Sequence, residues 1–388
     1  MSDVTGITLR GMTWSHPRGF DPLQEMSVRS REPGPLHVGT SVIEWDHQTL
    51  AGFESRPIAE IAETYDLIVL DHPGLGAAIN AGLLLPLDEL VGPDQIEEWR
   101  ERFIGASADA YHYQGHQWAV PIDGATQVGA RRADLLDQPL TSWQEVIDRS
   151  RVASVVLPTL APHALLTLLG IAAAIDPLFE PSAESLIPRQ TGARALEILG
   201  ELIGRMSSTH RLLDPIMVLD RMQGGDDIAS SPLIYGYVTY AGKRGEGRSI
   251  TFDEAPSVPP LGVPGSVLGG TGLAISSRTE HATQALEHLR LISGHLAQTS
   301  VIPDSNGQPA DRSAWLDRKA NAARDNFYLR TLNTQLTAWR RPRYNGWITC
   351  QENGSHLVYE GLTDRRKTES ILDDLDALYR QTRGERFL

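Results

Sequence analysis

The segment from Tyr65 to Gly76, YDLIVLDHPGLG, constrains the fold of this chain more than any other. Its continuous aliphatic run, Leu67–Leu70, is typical of a buried strand, and the following Asp71, His72 and Pro73 end that strand abruptly. Strand-like and helical patterns alternate along the first part of the sequence. The order strand, helix, strand favours an α/β fold built on a largely parallel sheet.

Other segments predict further elements. Strand-like patterns rich in apolar residues predict strands at Ile7–Trp14, Val38–Trp45 and Ser231–Ala241. Apolar spacing typical of one helix face predicts helices at Arg56–Tyr65 and His281–Gln298. The C-terminal part of the chain is predicted to be mostly helical.

Length and composition limit the classes of protein to consider. The chain has 388 residues, which suits two domains of roughly 150 to 200 residues each. Apolar residues make up 41% of it and charged residues 22%, so we expect a globular protein. The net charge of −14 argues against a nucleic-acid partner, because such a partner calls for a basic surface. The single cysteine, Cys350, excludes an internal disulfide bond and has no partner for a structural zinc site.

The longest apolar run, Ala164–Ile175, has twelve residues, whereas a helix needs about 20 to span a bilayer. We therefore expect a soluble chain in which this run forms a buried helix. The N-terminal segment shows no basic stretch followed by an apolar one, which is the pattern of an export leader. Two possibilities stay open: synthesis without a leader, or removal of the leader.

Several polar residues stand where predicted strands end. In open parallel sheets, ligands bind outside the carboxyl ends of the strands. His16 follows the first strand, Asp71 and His72 follow a later one, and Asp123 follows a short apolar run. These side chains can therefore face one ligand. An aspartate at a turn can instead bond only to local backbone amides, and Trp14 can belong to the core, so both alternatives stay open.

Common catalytic and cofactor motifs are absent from the sequence. It contains no G-x-S-x-G, no G-x-x-x-x-G-K-[ST] and no H-E-x-x-H. The spacing of His16, His72 and His116 matches no metal-ligand signature. We therefore expect neither a metal nor a cofactor, and we assign no catalytic residue.

Five stretches, which together span residues 11 to 347, carry a resemblance to a known family. They are Gly11–Leu23, Tyr65–Leu90, Trp118–Leu136, Gly269–Ile292, and Asn306–Trp315 followed by Arg341–Trp347. Their order and spacing are similar to those of extracellular solute-binding proteins of ABC transporters, in the family that includes maltose- and other oligosaccharide-binding proteins.

The resemblance implies an α/β, two-lobe periplasmic-binding-protein fold of type II with a ligand cleft between the lobes. The first lobe would hold residues 1–120 and about 270–315. The second would hold about 121–269 and 316–388, including the C-terminal helices. The ligand-binding residues that the resemblance implies are Trp14, Ser15, His16, Asp71, His72, Asp123, Tyr235, Gly269, Gly270 and Trp347.

The function implied is that of the substrate-binding component of an ABC importer. It would capture a small polar solute, such as a sugar, glycoside or polyol, by hinge closure, and would present it to a membrane permease. Such a protein is expected to be a monomer without enzymatic activity. It would be periplasmic or extracellular if a leader has been removed, and cytoplasmic if the chain is complete as given.

Two other functions stay open. A glycoside-processing hydrolase would use two carboxylates, such as those of Asp71 and Asp123, about 5–10 Å apart across a sugar. A binder of anionic solutes, such as sugar acids, would instead use guanidinium groups to hold a carboxylate or phosphate. The candidate arginines are Arg18, Arg131, Arg132, Arg340, Arg341 and Arg343.

Overall fold

The structure is a computed structural model that describes residues 6–55, 58–242 and 247–384. The chain divides into two compact units, each with its own sheet. The first unit comprises Met1–Ala125, Gly269–Asn321 and Arg343–Asn345, and the second comprises Thr126–Leu268, Ala322–Pro342 and Gly346–Leu388. Each unit is therefore assembled from segments that lie far apart in the chain.

The strands in chain order are β1 (Thr8–Trp14), β2 (Val42–Gln48), β3 (Leu67–Leu70), β4 (His112–Tyr113), β5 (His116–Gln117), β6 (Val120–Asp123), β7 (Gln127–Arg132), β8 (Ser154–Val155), β9 (Ile228–Tyr235), β10 (Ile250–Asp253) and β11 (Thr271–Ile275).

The α-helices in chain order are α1 (Pro17–Arg31), α2 (Leu50–Ser55), α3 (Ile58–Ala62), α4 (Leu75–Asn80), α5 (Pro93–Arg102), α6 (Ser107–Ala110), α7 (Trp143–Arg149), α8 (His163–Ile175), α9 (Arg189–Arg205), α10 (Pro215–Gly224), α11 (Ala282–Ser293), α12 (Ile302–Asp304), α13 (Arg312–Leu316), α14 (Arg318–Ala322), α15 (Phe327–Arg330), α16 (Leu332–Thr337), α17 (Trp347–Thr363) and α18 (Thr368–Thr382).

The main sheet of the first unit has the strand order β2-β1-β3-β11-β6. Strand β1 pairs parallel with β2 and β3, whereas β11 pairs antiparallel with β3 and β6. Four of its five strands therefore run in one direction and β11 runs against them. The prediction of a largely parallel sheet is confirmed. The predicted strand of Leu67–Leu70 is β3, and all four of its residues are buried.

The second unit has a sheet with the strand order β10-β7-β9-β8. Helix α8 packs against α9, α17 and β9, and α18 packs against α9 and α17. Twelve of the thirteen residues of α8 are buried, which confirms the predicted buried helix at Ala164–Ile175. Burial of one large aliphatic side chain contributes about 1.5–3 kcal/mol, so this helix is a main part of the core of the second unit.

Two predicted strands have different bounds in the structure. The strand predicted at Val38–Trp45 is β2 and begins at Val42, because the chain turns at Gly39, whose φ is 34°. The strand predicted at Ser231–Ala241 is β9, which begins at Ile228 and ends at Tyr235. Val238–Tyr240 forms a 3₁₀ turn instead of continuing the strand.

Two predicted helices are shorter than expected. The helix predicted at His281–Gln298 is α11, which ends at Ser293 before Gly294 and is followed by a π-helical turn. The helix predicted at Arg56–Tyr65 corresponds to α3, which ends at Ala62. Arg56 lies outside the described residues. Across the described ranges, no helix combines the length and the apolar character that a membrane span requires.

Candidate ligand site in the first unit

The predicted polar residues of the first unit meet at one edge of its sheet. Strands β1, β3 and β6 run in the same direction, so their carboxyl ends lie at the same edge. Because β11 runs the opposite way, it begins at that edge: its Thr271 is paired with Asp123, and Gly272 is paired with Leu70. The ends of four strands thus bring together segments that are far apart in the sequence, as the general rule for parallel sheets requires.

His16 caps helix α1 directly after β1. Its Nδ1 accepts a hydrogen bond of 3.1 Å from the backbone N–H of Arg18, and Pro17 occupies the first helical position, where no backbone N–H is needed. Burial, and then the positive charge of Arg18, lower the pKa of His16 to about 4. The imidazole is therefore neutral at pH 7, and because Nδ1 accepts, its proton is on Nε2.

Trp14 stands at the end of β1 in an aromatic cluster. Its ring stacks on the imidazole of His16 at 5.4 Å between centroids and on Phe53 at 5.9 Å. The guanidinium carbon of Arg18 lies 5.5 Å from the centroid of the Trp14 ring, within the range of a cation–π interaction. Trp14 is only 3% exposed, whereas Ser15 beside it is exposed.

Asp123, at the end of β6, forms a buried ion pair with Arg18 from the first turn of α1. Arg18 Nε donates to Asp123 Oδ1 at 2.9 Å, and Arg18 Nη2 donates to Asp123 Oδ2 at 2.5 Å. The two side chains are 4% and 10% exposed. A guanidinium that binds both oxygens of a carboxylate fixes the orientation of both groups. The pair therefore holds the start of α1 against the end of β6.

Asp71 and His72 follow β3, and His72–Gly74 forms a 3₁₀ turn. His72 Nδ1 lies 3.1 Å from Asp71 Oδ1; the His72 side chain is fully buried, whereas that of Asp71 is 31% exposed. Tyr111 packs edge-on against the His72 ring, with 6.2 Å between the ring centroids. The Tyr111 hydroxyl donates to the carbonyl of Leu70 at 3.2 Å. This turn therefore places the partly exposed Asp71 carboxylate beside the buried ring of His72.

Gly270 is required where the chain enters β11. Its φ of 86° lies in the left-handed region, and a Cβ built on it would lie 2.3 Å from the carbonyl oxygen of Asp123. The N–H of the preceding Gly269 donates to the carbonyl of Ala125 at 2.8 Å. Glycine at 270 therefore lets β11 approach the backbone that carries Asp123.

The two candidate arginines of the first unit, Arg18 and Arg343, donate hydrogen bonds to other groups of the protein. Arg18 binds Asp123, as described above. Arg343 Nη1 donates to the carbonyls of Asp109, Ala110 and His112 at 2.8, 3.1 and 2.8 Å. A Cβ at Gly76 would lie 2.0 Å from the carbonyl oxygen of Arg343, so the two backbones pack in direct contact. Arg343 thus connects the short segment Arg343–Asn345 to the rest of the first unit.

Two candidate arginines of the second unit are engaged with carboxylates. Arg131 Nε donates to Asp253 Oδ2 at 2.7 Å, and Arg132 Nη2 donates to Asp134 Oδ2 at 2.6 Å. A third, Arg341, donates from Nε to the carbonyl of Leu268 at 3.2 Å.

Tyr235 and Trp347, which were also predicted as ligand residues, belong to the second unit. Tyr235 is the last residue of β9, and its ring packs edge-on against His163, with 6.1 Å between the ring centroids. Trp347 begins α17 directly after Gly346, whose φ is 112°, and is fully buried. That Tyr235 and Trp347 contact the ligand stays a prediction.

Sequence reasoning missed the roles of three residues that the structure places near these side chains. Phe53 completes the Trp14 cluster, Tyr111 supports the turn after β3, and His163 packs on Tyr235. None of them belongs to a motif or stands at a predicted strand end, so no local signal could have identified them. Among the described residues, no group of three or more histidine, cysteine, aspartate or glutamate side chains is placed to hold a metal ion.

The chain is similar to known proteins over part of its sequence and over nearly all of its fold. No family model matches it. Among curated proteins, it is 26% identical over 102 residues to a maltotriose-binding protein of Pyrococcus abyssi. This match covers 24% of the chain and spans 22% of the length of that relative.

Solved structures match over nearly the whole chain. The maltose-bound MalE3 of T. maritima superposes with a TM-score of 0.76 at 15% identity, covering 96% of this chain and 99% of the other. A solute-binding protein of Agrobacterium radiobacter K84 in complex with ribitol gives a TM-score of 0.75 at 16% identity, covering 97% and 99%. One from Thermotoga lettingae TMO with bound α-D-tagatose gives 0.76 at 15% identity, covering 97% and 100%.

Because the sequence identities are only 15–16%, these superpositions establish the fold alone. The α/β type II fold and the resemblance drawn from the sequence are thereby confirmed: the chain has the fold of the sugar-binding solute-binding proteins of ABC transporters.

Proposed function

We propose that this chain is the substrate-binding component of an ABC importer and that it captures a small polar solute of the sugar, glycoside or polyol class. The observation that supports this most directly is the meeting of four strand ends, with polar side chains among them, at one edge of the first unit's sheet. Solved structures with this fold contain maltose, ribitol or tagatose, and the curated protein that is similar over 102 residues is described as binding maltotriose.

The chemistry of this edge suits a guest rich in hydroxyl groups. A hydroxyl both donates and accepts hydrogen bonds. The partly exposed carboxylate of Asp71 can accept from one hydroxyl, and the Nε2–H of neutral His16 can donate to another. A hydrogen bond to a charged group contributes about 1.5–3 kcal/mol. Two or three such contacts contribute about 3–9 kcal/mol, whereas micromolar binding needs about 8 kcal/mol after the cost of immobilising the guest, so further contacts have to add to them.

The hydrolase alternative is less well supported by the geometry. A glycosidase needs one carboxyl group that protonates the leaving oxygen and a second one that acts from the other side. Both oxygens of Asp123 already accept hydrogen bonds from Arg18. A carboxylate held in this way is poorly placed to pass a proton to a substrate. We therefore propose a protein that returns its ligand unchanged and is not an enzyme.

Partner and location follow from the proposed role. An importer component delivers its ligand to a membrane permease, so the permease is the expected protein partner, and the binding protein acts as a monomer. The expected compartment is the periplasm or the extracellular space. The hinge closure implied by the resemblance stays a prediction.

A thermal-shift screen against neutral sugars, polyols and sugar acids tests the proposal. A ligand that binds only the folded protein stabilises it by about 2.7 kcal/mol at a concentration of 100 times Kd, so one member of the panel should raise the melting temperature by several degrees. Incubation of that member with the protein, followed by chromatography, should recover it unchanged. A flat response across the whole panel would argue against a sugar or polyol ligand, and a new product would favour the hydrolase.

A further inference from the structure

We propose that Asp123 makes the site select neutral solutes over anionic ones, because its carboxylate already occupies the guanidinium of Arg18. This inference rests on the proposed function and narrows it. The sequence alone left both kinds of ligand open, since Arg18 can clamp a carboxylate and Asp123 can bind hydroxyls. The structure shows that these two side chains bind each other.

The geometry leaves the ion pair electrically balanced. Both oxygens of Asp123 accept from Arg18, at 2.9 and 2.5 Å, and the two side chains are 4% and 10% exposed. A sugar acid that approached Arg18 would have to displace the Asp123 carboxylate, which two hydrogen bonds already hold. Otherwise its own carboxylate would lie next to that of Asp123 and be repelled by it. A neutral hydroxyl meets no such repulsion, and each carboxylate oxygen has a second lone pair with which to accept from it.

The position of Arg18 depends on more than Asp123. The N–H of Arg18 is held by His16 Nδ1 at 3.1 Å, and the guanidinium lies 5.5 Å from the centre of the Trp14 ring. The next residue, Gly19, packs so closely on Trp14 that a Cβ there would lie 2.1 Å from Nε1 of the indole. The start of α1 therefore stays in place when only the charge of Asp123 is removed.

Removing that charge creates a site for an anion. In Asp123→Asn, the amide fills the volume of the carboxylate, and Arg18 carries a charge that Asp123 no longer balances. Loss of a buried counter-charge is costly, so the carboxylate of a sugar acid gains affinity for Arg18. Asp123 is thus a specificity-determining residue, and its effect acts through Arg18.

The experiment measures affinities by calorimetry for matched pairs in which a carboxylate replaces one CH₂OH group: ribitol with ribonate, galactose with galacturonate, and maltitol with maltobionate. The wild type should bind the neutral member of a pair at least about tenfold more tightly than the acid. In Asp123→Asn, the ratio of acid to neutral affinity should rise about ten- to a hundredfold, the range expected for one charge-assisted hydrogen bond. Adding Arg18→Met to Asp123→Asn should abolish the increase.

Two control variants carry the same change of charge elsewhere. Asp46→Asn removes a carboxylate from the exposed pair with Arg10 in the same unit. Asp253→Asn removes one from the buried pair with Arg131, whose side chain is 10% exposed. Neither should change the ratio of acid to neutral affinity. A rise in all three variants would overturn the role of Asp123 and point to net charge.

The inference fails separately from the proposed function. If the wild type binds a neutral sugar or polyol but binds its acid as tightly, or if folded Asp123→Asn keeps the wild-type ratio within about twofold, the inference is wrong and the function stands. If the wild type binds no member of any pair, the proposed function is in doubt, and acid binding gained by Asp123→Asn still decides the role of Asp123. If Asp123→Asn does not fold, equal wild-type affinity for a neutral solute and its acid still overturns the inference.

Discussion

Replacing Gly270 by alanine should destabilise the protein for two reasons that can be separated. The φ of Gly270 is 86°, and an L-residue held in the left-handed region costs about 1–2 kcal/mol. The new methyl would also lie 2.3 Å from the carbonyl oxygen of Asp123 and 3.1 Å from the nitrogen of Ala125. Both neighbours are backbone atoms, so β6 or β11 has to move, and overpacking of this kind costs about 1–3 kcal/mol more.

Gly82 offers the matched control for the conformational part of this cost. Its φ is 64°, it belongs to the same unit, and nothing lies within 4 Å of the place that a methyl group would take at that position. Gly82→Ala should therefore cost about 1–2 kcal/mol, whereas Gly270→Ala should cost about 2–5 kcal/mol. Urea unfolding followed by circular dichroism measures both free energies of unfolding. Equal values within about 0.5 kcal/mol would refute the close packing of β11 on the Asp123 backbone.

Four further variants test the candidate site and the stability of the first unit. Arg18→Met leaves the Asp123 carboxylate buried without the guanidinium of Arg18 and should lower the free energy of unfolding by about 3–5 kcal/mol. Arg18→Met/Asp123→Asn should lower the free energy of unfolding by less, and a larger loss in this double variant would contradict the ion pair. Asp71→Asn should weaken binding of the screened sugar or polyol about tenfold or more in calorimetry. The melting temperature of the free protein should stay almost unchanged, because the Asp71 side chain is 31% exposed. Unchanged affinity would show that Asp71 does not belong to the site. His288 Nε2 lies 3.2 Å from Ser41 Oγ, and burial lowers the pKa of His288 to about 4, as it does that of His16. The unfolded chain takes up these protons near pH 6.5, so stability should fall as the pH drops from about 6.5 to about 4, and His288→Gln should reduce the slope of stability against pH in urea unfolding without abolishing it.

The fold class was predictable because its signals are local. The aliphatic run of β3 and the apolar α8 are visible in any short window, and both are buried as predicted. The bounds of β9 and α11 were less predictable. The strand ends at Tyr235 just before Gly236, where a Cβ would lie 3.0 Å from Phe327, about ninety positions further along the chain. Such a contact depends on tertiary packing and cannot be predicted from the neighbouring sequence.

The candidate site was predictable only as a set of positions. The rule that ligands bind beyond the carboxyl ends of parallel strands located His16, Asp71 and Asp123, and the sheet does bring these strand ends to one edge. The rule does not say what each side chain binds. Arg18 and Asp123 are 105 positions apart, so the sequence does not indicate that they form an ion pair. Taken separately, Arg18 suits an anion and Asp123 suits a hydroxyl group.

The Arg18–Asp123 pair links the stability of the first unit to the kind of ligand that its edge can accept. The pair connects α1 to β6 at the point where four strand ends meet, so any change that frees Arg18 to bind an anion also weakens that connection. The cost of an unpaired buried charge, about 3–5 kcal/mol, exceeds what one hydrogen bond to a guest returns, about 1.5–3 kcal/mol. That single hydrogen bond can therefore offset only part of the loss, and a ligand-free variant that gains anion binding should be less stable than the ligand-free wild type.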